Sequence, residues 1–201
     1  MTESELALVR AFQAGEEDAV RALFERYYPK TVRLASASGL ATEEAKDCAQ
    51  EAFIAAFASR RQLRQPASFS QWYYRIFAHQ LAEALRRRPY SQVSLEVIDD
   101  ADVNPRLAVP SPDELAISAE AGREIRRRVL ALPPHYRIPL ILRYYGDLSF
   151  QEIAQIMGKR EGTVRVTIHR ALCRLRLDDQ REAAQTEAMP HSTQVRMSML
   201  Y

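Results

Sequence analysis

The stretch from Asp147 to Arg176, DLSFQEIAQIMGKREGTVRVTIHRALCRLR, constrains the fold of this chain more than any other part. Ser149 precedes an apolar run and Glu152 follows three residues later, which is the capping-box pattern of a helix start. Gly158 ends that helical pattern, because glycine tolerates the left-handed conformation of a tight turn. The sequence therefore predicts a short helix, a turn and a second helix, for which Thr163 is the expected N-cap.

The predicted second helix has an apolar side and a basic side. Its apolar residues recur with a period of 3.6 residues and are Val164, Ile168, Ala171, Leu172 and Leu175. The opposite side and its two edges carry Val166, His169, Arg170, Cys173, Arg165, Arg176, Thr167 and Arg174. A capped helix, a glycine turn and a basic second helix are typical of a helix-turn-helix, whose second helix enters a major groove of DNA. An ordinary helical hairpin with a solvated basic face is the alternative that this pattern leaves open.

The net charge of +2 conceals an uneven distribution along the chain. Residues 1–88 carry 13 Lys/Arg and 11 Asp/Glu, and residues 89–118 carry one Arg and six Asp/Glu. Residues 119–178 carry 12 Lys/Arg and six Asp/Glu. A basic C-terminal part behind an acidic connector indicates a polyanionic partner for that part.

The cysteines, the histidines and the lengths of the apolar runs indicate the cellular compartment and the chemistry to expect. Cys48 and Cys173 lie far apart and form no CxxC pair, which favours free thiols in a reducing cytosol. No signal sequence opens the chain and no apolar run approaches the ~18 residues of a membrane span, so we expect a soluble, cytoplasmic protein. The four histidines are scattered, so we expect no catalytic residue, no metal site and no cofactor, and an enzyme such as a nuclease or a metal hydrolase is disfavoured.

Helical periodicity covers most of the chain, and no strand alternation interrupts it. Outside the helix-turn-helix, the predicted helices cover residues 4–28, 32–39, 42–59, 71–88, 113–132 and 135–145. Pro29 is expected to separate the first two. Residues 89–112 contain four prolines and lack the apolar density of a core, which predicts a flexible acidic linker whose flanking domains have no fixed relation. The expected architecture is all-α, with a domain at 1–88, the linker at 89–112, a domain at 113–178 and a flexible tail at 179–201.

Seven short motifs occur in an order that one protein family shares. The first domain contains DCAQEAF at 47–53, which matches D-x-x-Q-E-x-F, and SFSQWYYRI at 68–76, which matches S-F-x-x-W-L-Y-R-I. The second contains ALP at 131–133, LILRY at 140–144, LSFQEIA at 148–154, GTV at 162–164 and HRA at 169–171. Over roughly residues 5–176 the chain resembles regions two and four of the sigma-70 family, in the extracytoplasmic-function (ECF) group of sigma factors of bacterial RNA polymerase.

The resemblance implies an alternative sigma factor that binds core RNA polymerase and promoter DNA. Such a factor directs promoter recognition, DNA melting and transcription initiation, and catalyses no reaction itself. The implied core-polymerase-binding residues, with the last as an apolar anchor, are Asp47, Gln50, Glu51 and Phe53. The implied minus-ten residues are Arg60, Arg61, Arg64, Ser68, Tyr74, Arg75, His79, Arg86 and Arg87. The implied minus-thirty-five residues are Lys159, Arg160, Thr163, Arg165, Val166, Thr167, His169, Arg170 and Arg174. Family members are commonly held inactive by an anti-sigma factor, so such a partner is implied as well.

Some positions depart from the family pattern. Asn is common where this chain has His79, and Arg or Lys is common at Thr167, Leu172 and Cys173. The promoter sequence therefore stays open. The alternative function is a helix-turn-helix transcriptional regulator without a sigma role, which would bind a promoter duplex without polymerase.

Overall fold

The computed structural model describes the backbone of residues 2–87 and 112–187 and the side chains of residues 2–87 and 122–176. Every regular element in these ranges is helical, which confirms the all-α class. The α-helices are α1 (Glu3–Ala14), α2 (Glu17–Ala37), α3 (Thr42–Ala58), α4 (Phe69–Arg87), α5 (Pro112–Ala131), α6 (Pro134–Tyr144), α7 (Phe150–Met157) and α8 (Glu161–Glu187). Short 3-10 helices at Arg60–Gln62 and Pro66–Ser68 connect α3 to α4. None of the described helices is long and apolar enough to cross a membrane. Nearly all of the expected linker lies outside the described residues.

An aromatic cluster holds α1, α3 and α4 together in the first domain. Phe12 of α1 is fully buried at its centre. Its ring meets the rings of Phe53, Phe57 and Phe69 edge-on, at centroid distances of 6.1, 5.9 and 5.4 Å. Such pairs contribute about 0.5–1.5 kcal/mol each beyond the burial of their surface. Because these residues come from three different helices, the cluster fixes how the helices sit on one another.

A buried hydroxyl pair ties α2 to α4. The hydroxyl of Tyr73 lies 3.3 Å from Oγ1 of Thr31, and both residues are fully buried. Thr31 Oγ1 also lies within hydrogen-bond distance of the carbonyl oxygens of Tyr27 and Tyr28, at 3.1 and 3.0 Å. Each buried hydroxyl therefore has a partner, as buried polar groups in folded proteins require.

The course of α2 differs from the prediction, because Pro29 lies inside the helix instead of ending it. A proline lacks the N–H that would bond to the carbonyl four residues earlier, here that of Glu25. Pro29 and Glu25 are both exposed residues. The break between α1 and α2 falls at Gly15. Its φ of +90° is a left-handed value that glycine adopts without a steric penalty.

The predicted helix-turn-helix is present as α7 and α8. Ser149 Oγ accepts from the N–H of Glu152 at 3.2 Å, and the Glu152 carboxylate accepts from the N–H of Ser149 at 2.8 Å. This reciprocal pair confirms the capping box. Gly158 follows α7 with a φ of +62°, as the turn requires.

The boundaries of α8 differ from the prediction at both ends. The helix begins at Glu161, because the N–H of Thr163 already donates to the carbonyl of Arg160 at 2.9 Å. Thr163 is therefore inside the first turn and is not the N-cap. The helix backbone continues to Glu187, well into the predicted tail, and residues 188–201 lie outside the described part.

The predicted apolar stripe of α8 is confirmed by its burial. Val164, Ile168 and Ala171 are buried, and Leu172 and Leu175 are partly buried. The stripe packs against α6 and α7. Helix α8 is therefore attached to the second domain by the side that the sequence assigned to the core.

The two domains contact each other directly in this structure, whereas the linker composition predicted that they have no fixed relation. Helix α4 packs against α6 and α7, and α2 packs against α6. Buried residues of both domains, including Leu81 of α4 and Ile141 of α6, belong to one continuous hydrophobic core. The prediction rested on the composition of the linker, which carries no information about the apolar surfaces that the domains present to each other.

Burial of the Cys48 thiol and of the Tyr73 and Tyr74 phenols predicts that the fold loses stability at alkaline pH. Burial raises the pKa of Cys48, Tyr73 and Tyr74 to about 12, from ordinary values of 9.0 for the thiol and 10.0 for the phenols. Above pH 9.0 the unfolded chain therefore binds fewer protons than the folded chain. The free energy of unfolding should consequently fall as pH rises from 9.0 toward about 12.

Urea unfolding at a series of pH values, followed by circular dichroism, measures this decrease. The variant Cys48→Ala should lose the part of the decrease that starts near the thiol's ordinary pKa of 9.0. Cys173→Ala is the matched control, because its thiol is only partly buried, and it should follow the wild type. A free energy of unfolding that stays constant over the alkaline range would contradict the burial of these groups.

Candidate nucleic-acid and protein interfaces

The side of α8 opposite its buried stripe is solvent-exposed and largely basic. Val166 is 49% exposed, and Arg165, His169 and Arg170 are exposed around it. The structure thus brings together on one helical face the residues that the sequence predicted there. A major groove admits an α-helix, so this face has the geometry for contact with base edges.

Arg165 and Arg170 differ in what their guanidinium groups contact. Arg165 Nη2 lies 2.6 Å from the carboxylate of Glu161, and its Cζ lies 4.4 Å from the centre of the Phe150 ring. Arg170 makes no hydrogen bond or ion pair within the described part of the chain. The Arg165 side chain is therefore held against the protein, which suits a contact with DNA at one fixed position. The Arg170 side chain can turn toward a base edge.

The flanking basic residues of the predicted DNA face occupy two different places. Lys159 and Arg160 are exposed in the turn between α7 and α8. Arg174 lies on the far edge, where its Cζ is 4.7 Å from the centre of the Tyr136 ring. Both places lie off the centre of the face, which suits contact with phosphates better than contact with bases.

The polar residues of this face bond within α8. Thr167 Oγ1 donates to the carbonyl of Thr163 at 2.7 Å, so its hydroxyl proton is already engaged. The ring of His169 lies 3.8 Å from Sγ of Cys173, one turn along the helix.

A cavity of about 430 Å³ lies beside the connection between α3 and α4. Its lining includes Arg64, Ser68 and Arg75, three of the predicted minus-ten residues. Trp72 also lines it and is only half-buried. An accessible indole beside exposed arginines can stack an unpaired base, a contact that contributes about 1–3 kcal/mol per base. The S-F-x-x-W motif itself was the signal that could have identified Trp72.

Two predicted minus-ten residues face the protein. The Arg60 Cζ lies 4.2 Å from the centre of the Phe57 ring, and its Nη1 donates to the Phe57 carbonyl at 3.0 Å. Its Nε is buried without a hydrogen-bond partner among the described atoms. Tyr74 is 9% exposed and packs edge-on against Tyr27 at 6.1 Å. This conformation therefore corrects the sequence-based assignment, because it offers neither the Arg60 guanidinium nor the Tyr74 ring to DNA.

The remaining predicted minus-ten residues are exposed on the first domain. Arg61 lies in the connection, and His79, Arg86 and Arg87 follow on α4. Arg87 Nε lies 3.4 Å from the carboxylate of Glu83, with which Arg86 also pairs. Pairs between exposed side chains contribute little to stability, so a phosphate can replace Glu83 as their partner at small cost.

The exposed face of α3 carries the predicted acidic and amide groups. Asp47, Gln50 and Glu51 are exposed on one side of the helix. Phe53 is 5% exposed and belongs to the aromatic core, which corrects its assignment as the apolar anchor of this face. Ile54 takes that place: it is 57% exposed and follows Asp47 by seven residues and Glu51 by three, the spacing of one helical face. That spacing was the signal that sequence reasoning missed.

Metal-binding geometry is missing from the described side chains. Among residues 2–87 and 122–176 no three or more His, Cys, Asp or Glu side chains group as the ligands of a metal ion would.

Comparison with known proteins identifies both domains. Residues 23–89 match the family model of sigma-70 region 2, and residues 122–175 match that of sigma-70 region 4. The chain is 32% identical over 169 residues to the ECF RNA polymerase sigma-E factor of Escherichia coli (strain K12), covering 82% of this chain and 88% of the relative. It is 29% identical over 167 residues to the ECF RNA polymerase sigma factor SigW of Bacillus subtilis (strain 168), covering 81% of this chain and 89% of the relative.

One solved structure has the same fold. CnrH, in a complex with the cytosolic domain of CnrY, superposes with a TM-score of 0.64 at 19% identity, covering 93% of this chain and all of CnrH. With regions two and four in family order, and with the identity and coverage of the sigma-E relative, the chain belongs to the ECF sigma factors of the sigma-70 family.

Proposed function

We propose that residues 1–88 bind core RNA polymerase and the minus-ten element, while residues 113–178 bind the minus-thirty-five element. The observation that carries this proposal is the separation of two exposed helical faces, an acidic one on α3 and a basic one on α8, on the domains that match regions two and four. Residues 89–112 connect the two activities. The chain acts in the cytoplasm, where its polymerase partner works.

The α3 face suits a basic helical partner on the polymerase. Asp47 and Glu51 present carboxylates one turn apart, and the exposed Ile54 supplies apolar area beside them. Complementary charge steers association, and an apolar side chain that becomes desolvated at the centre of an interface contributes most of its affinity. The family resemblance makes that partner a coiled coil of the largest polymerase subunit.

The first test of this face reverses its charge. The variant Asp47→Lys/Glu51→Lys should bind core polymerase at least tenfold more weakly, because like charges at an interface cost several kcal/mol when their partners are desolvated. Ile54→Ala should weaken binding in the same direction through lost apolar contact. Titration of labelled variant with core polymerase, followed by fluorescence anisotropy, gives the dissociation constants.

The matched control is Glu17→Lys/Asp18→Lys, which changes the net charge equally at exposed positions of α2. It should bind polymerase as the wild type does. All variants should keep the wild-type affinity for minus-thirty-five duplex, since that surface lies on the other domain. Equal polymerase affinities for the α3 variant and the control would remove α3 from the interface.

The minus-ten surface binds the displaced strand and catalyses nothing. Arg64, Ser68 and Arg75 lie around the cavity whose half-buried Trp72 can stack an unpaired base. Arg61 in the connection between α3 and α4, and Arg86 and Arg87 at the end of α4, are exposed and can contact phosphates. Base capture and strand binding stabilise the melted state, and the polymerase forms the phosphodiester bonds.

An anti-sigma factor is the proposed regulator of the chain. The support is the family resemblance together with the shared fold of CnrH, which was solved in complex with the cytosolic domain of CnrY. Exposed apolar side chains that such a partner can cover include Ile125, Tyr144 and Tyr145, at 61%, 58% and 65% exposure.

The α8 face separates base reading from phosphate binding. Arg170 has the central position and no intramolecular partner in the described chain, so it can bond bidentately to guanine. Arg170→Ala should therefore relax specificity at one or two base pairs, by roughly 1–3 kcal/mol. Lys159→Ala should weaken all sequences about equally and reduce the salt slope by roughly one ion.

Binding to a randomised minus-thirty-five library at two salt concentrations distinguishes these two effects. Gln151→Ala changes an exposed residue of α7 outside the predicted set and serves as the control, with wild-type affinity and specificity. If Arg170→Ala shifts every sequence alike, the residue is a phosphate contact and the assignment to base reading is wrong.

Transcription by core polymerase with this chain, across a promoter library, tests the sigma function itself. We expect transcripts from a subset of promoters that share one minus-ten and one minus-thirty-five sequence, and none from core polymerase alone. The alternative, a helix-turn-helix regulator without a sigma role, would bind promoter duplex alone and give no transcripts with core polymerase.

A further inference from the structure

The connection between α3 and α4, residues 59–68, lines the cavity in which the proposed function places an unpaired minus-ten base. Arg64 and Ser68 of this connection line the cavity together with Trp72 of α4. We call residues 59–68 the capture segment. Its own backbone bonds close single turns, as from the N–H of Ser68 to the carbonyl of Gln65 at 2.9 Å. Bonds of this kind shape the segment locally but do not determine how it sits on the domain.

A side chain of α1 reaches across to the capture segment. Nε2 of Gln13 donates to the carbonyl of Leu63 at 2.7 Å and to that of Arg60 at 3.4 Å. The nitrogen of a carboxamide carries two N–H groups, so one Gln side chain can serve both carbonyls. Gln13 is half-buried and therefore partly shielded from competing water. The two bonds attach the first turn of the capture segment to a helix that is distant in sequence.

The carbonyl of Leu63 belongs to the peptide group that joins Leu63 to Arg64. A peptide group is planar, so a bond to its oxygen also restricts the orientation of its N–H side. The Leu63 side chain is 5% exposed and lies in the same buried cluster as Phe12 of α1. Leu63 is thus held by its side chain and by its carbonyl, and the direction in which the chain continues into Arg64 is fixed.

The start of the capture segment also fits closely against the end of α1. The guanidinium group of Arg60 lies over the Phe57 ring and bonds to the Phe57 carbonyl. On its other side lies Gly15, where a Cβ would be 3.3 Å from Nη2 of Arg60. Both 3-10 helices of the connection contact α1. Helix α1 is therefore the support on which the capture segment rests.

We propose that Gln13 is a positioning residue for minus-ten recognition, because its amide holds the Leu63–Arg64 peptide group and thereby fixes the wall of the cavity that receives the unpaired base. A wall that is ordered before the base arrives loses less conformational entropy on binding, and it discriminates better between bases of different shape. This inference rests on the proposed function, since it concerns base capture at that cavity.

Three substitutions of Gln13 separate the hydrogen-bond donor from the volume of the side chain. Gln13→Glu keeps the size but presents a carboxylate, which only accepts hydrogen bonds and so faces two carbonyl oxygens without a proton to share. Gln13→Ala removes the side chain and keeps a good helix former in α1. Gln13→Lys keeps a donor and should rescue the function that the other two variants lose.

The functional measurement uses the complex of core polymerase with the full chain. A promoter that the library identifies is transcribed after each base of its minus-ten element has been changed in turn. Gln13→Glu and Gln13→Ala should lose about threefold to tenfold of the base preference at one minus-ten position, the range expected for the loss of one hydrogen bond. Preferences at the other minus-ten positions and at the minus-thirty-five element should stay at wild-type values, as should all preferences of Gln13→Lys.

The structural measurement uses the chain without polymerase. Amide hydrogen exchange in residues 59–68 should be faster in Gln13→Glu and Gln13→Ala than in the wild type, while exchange in α8 stays unchanged. Trp72 is the only tryptophan of the chain, so its fluorescence reports on the cavity directly. Acrylamide should quench this fluorescence more strongly in the same two variants and to the wild-type extent in Gln13→Lys.

The controls place the same charges one residue further along α1. Ala14→Glu and Ala14→Lys change an exposed position and leave the bonds of Gln13 intact. Both should match the wild type in base preference, in hydrogen exchange and in quenching. A variant that only destabilises the domain would lower transcription from all promoter variants alike, without changing the preference at one position.

Four outcomes would overturn the inference. Unchanged exchange in residues 59–68 would show that Gln13 does not hold the capture segment. Faster exchange with unchanged base preference, or a loss spread equally over the minus-ten positions, would show that the bond has no role in base capture while the sigma function stands. Equal losses in Gln13→Glu and Gln13→Lys would exclude the donor as the cause. If the wild-type chain yields no transcripts from the library, the proposed function fails and the role of Gln13 fails with it, even where exchange shows that the segment is held.

Discussion

The guanidinium group of Arg137 bonds to backbone carbonyls of both domains. It bonds to the carbonyls of Leu130 and Leu132 where α5 ends, and to that of Ser38 where α2 ends. Truncating a buried charged group leaves its former partners unsatisfied, which makes such a site sensitive to substitution. A change at this one residue therefore affects both the stability of the second domain and the relation between the domains.

Helix α4 packs against both domains. Tyr73 and Phe77 pack it onto the first domain, while the side that carries Arg75 meets α7. Of the proposed minus-ten residues, Arg75 lies on that second side and donates to the carbonyl of Gln155 in α7. The proposed polymerase-binding residues Asp47, Gln50 and Glu51 of α3 and the proposed duplex-binding residues Val166 and Arg170 of α8 are exposed in the same structure.

The sequence predicted those features that depend on residues close together along the chain. Ser149, Glu152 and Gly158 act within one or two turns of chain, so the capping box and the turn could be predicted. Phe53 and Ile54 are neighbours of similar hydrophobicity. The spacing of Ile54 from Asp47 and Glu51 indicated its place on the exposed face, but the burial of Phe53 results from the packing of α3 on α1 and α4. Trp72 and the relation between the domains depend in the same way on surfaces far apart in sequence, which periodicity and composition cannot describe.

The central claim is that two surfaces of one chain contact two promoter elements at once. Site-specific photo-crosslinking in the complex with core polymerase and promoter tests it most directly, with crosslinkers at the exposed positions of His79 on α4 and Val166 on α8. The account predicts crosslinks from the first position to the minus-ten non-template strand and from the second to the minus-thirty-five duplex. Crosslinks from both positions to the same element, or from neither to DNA, would contradict it.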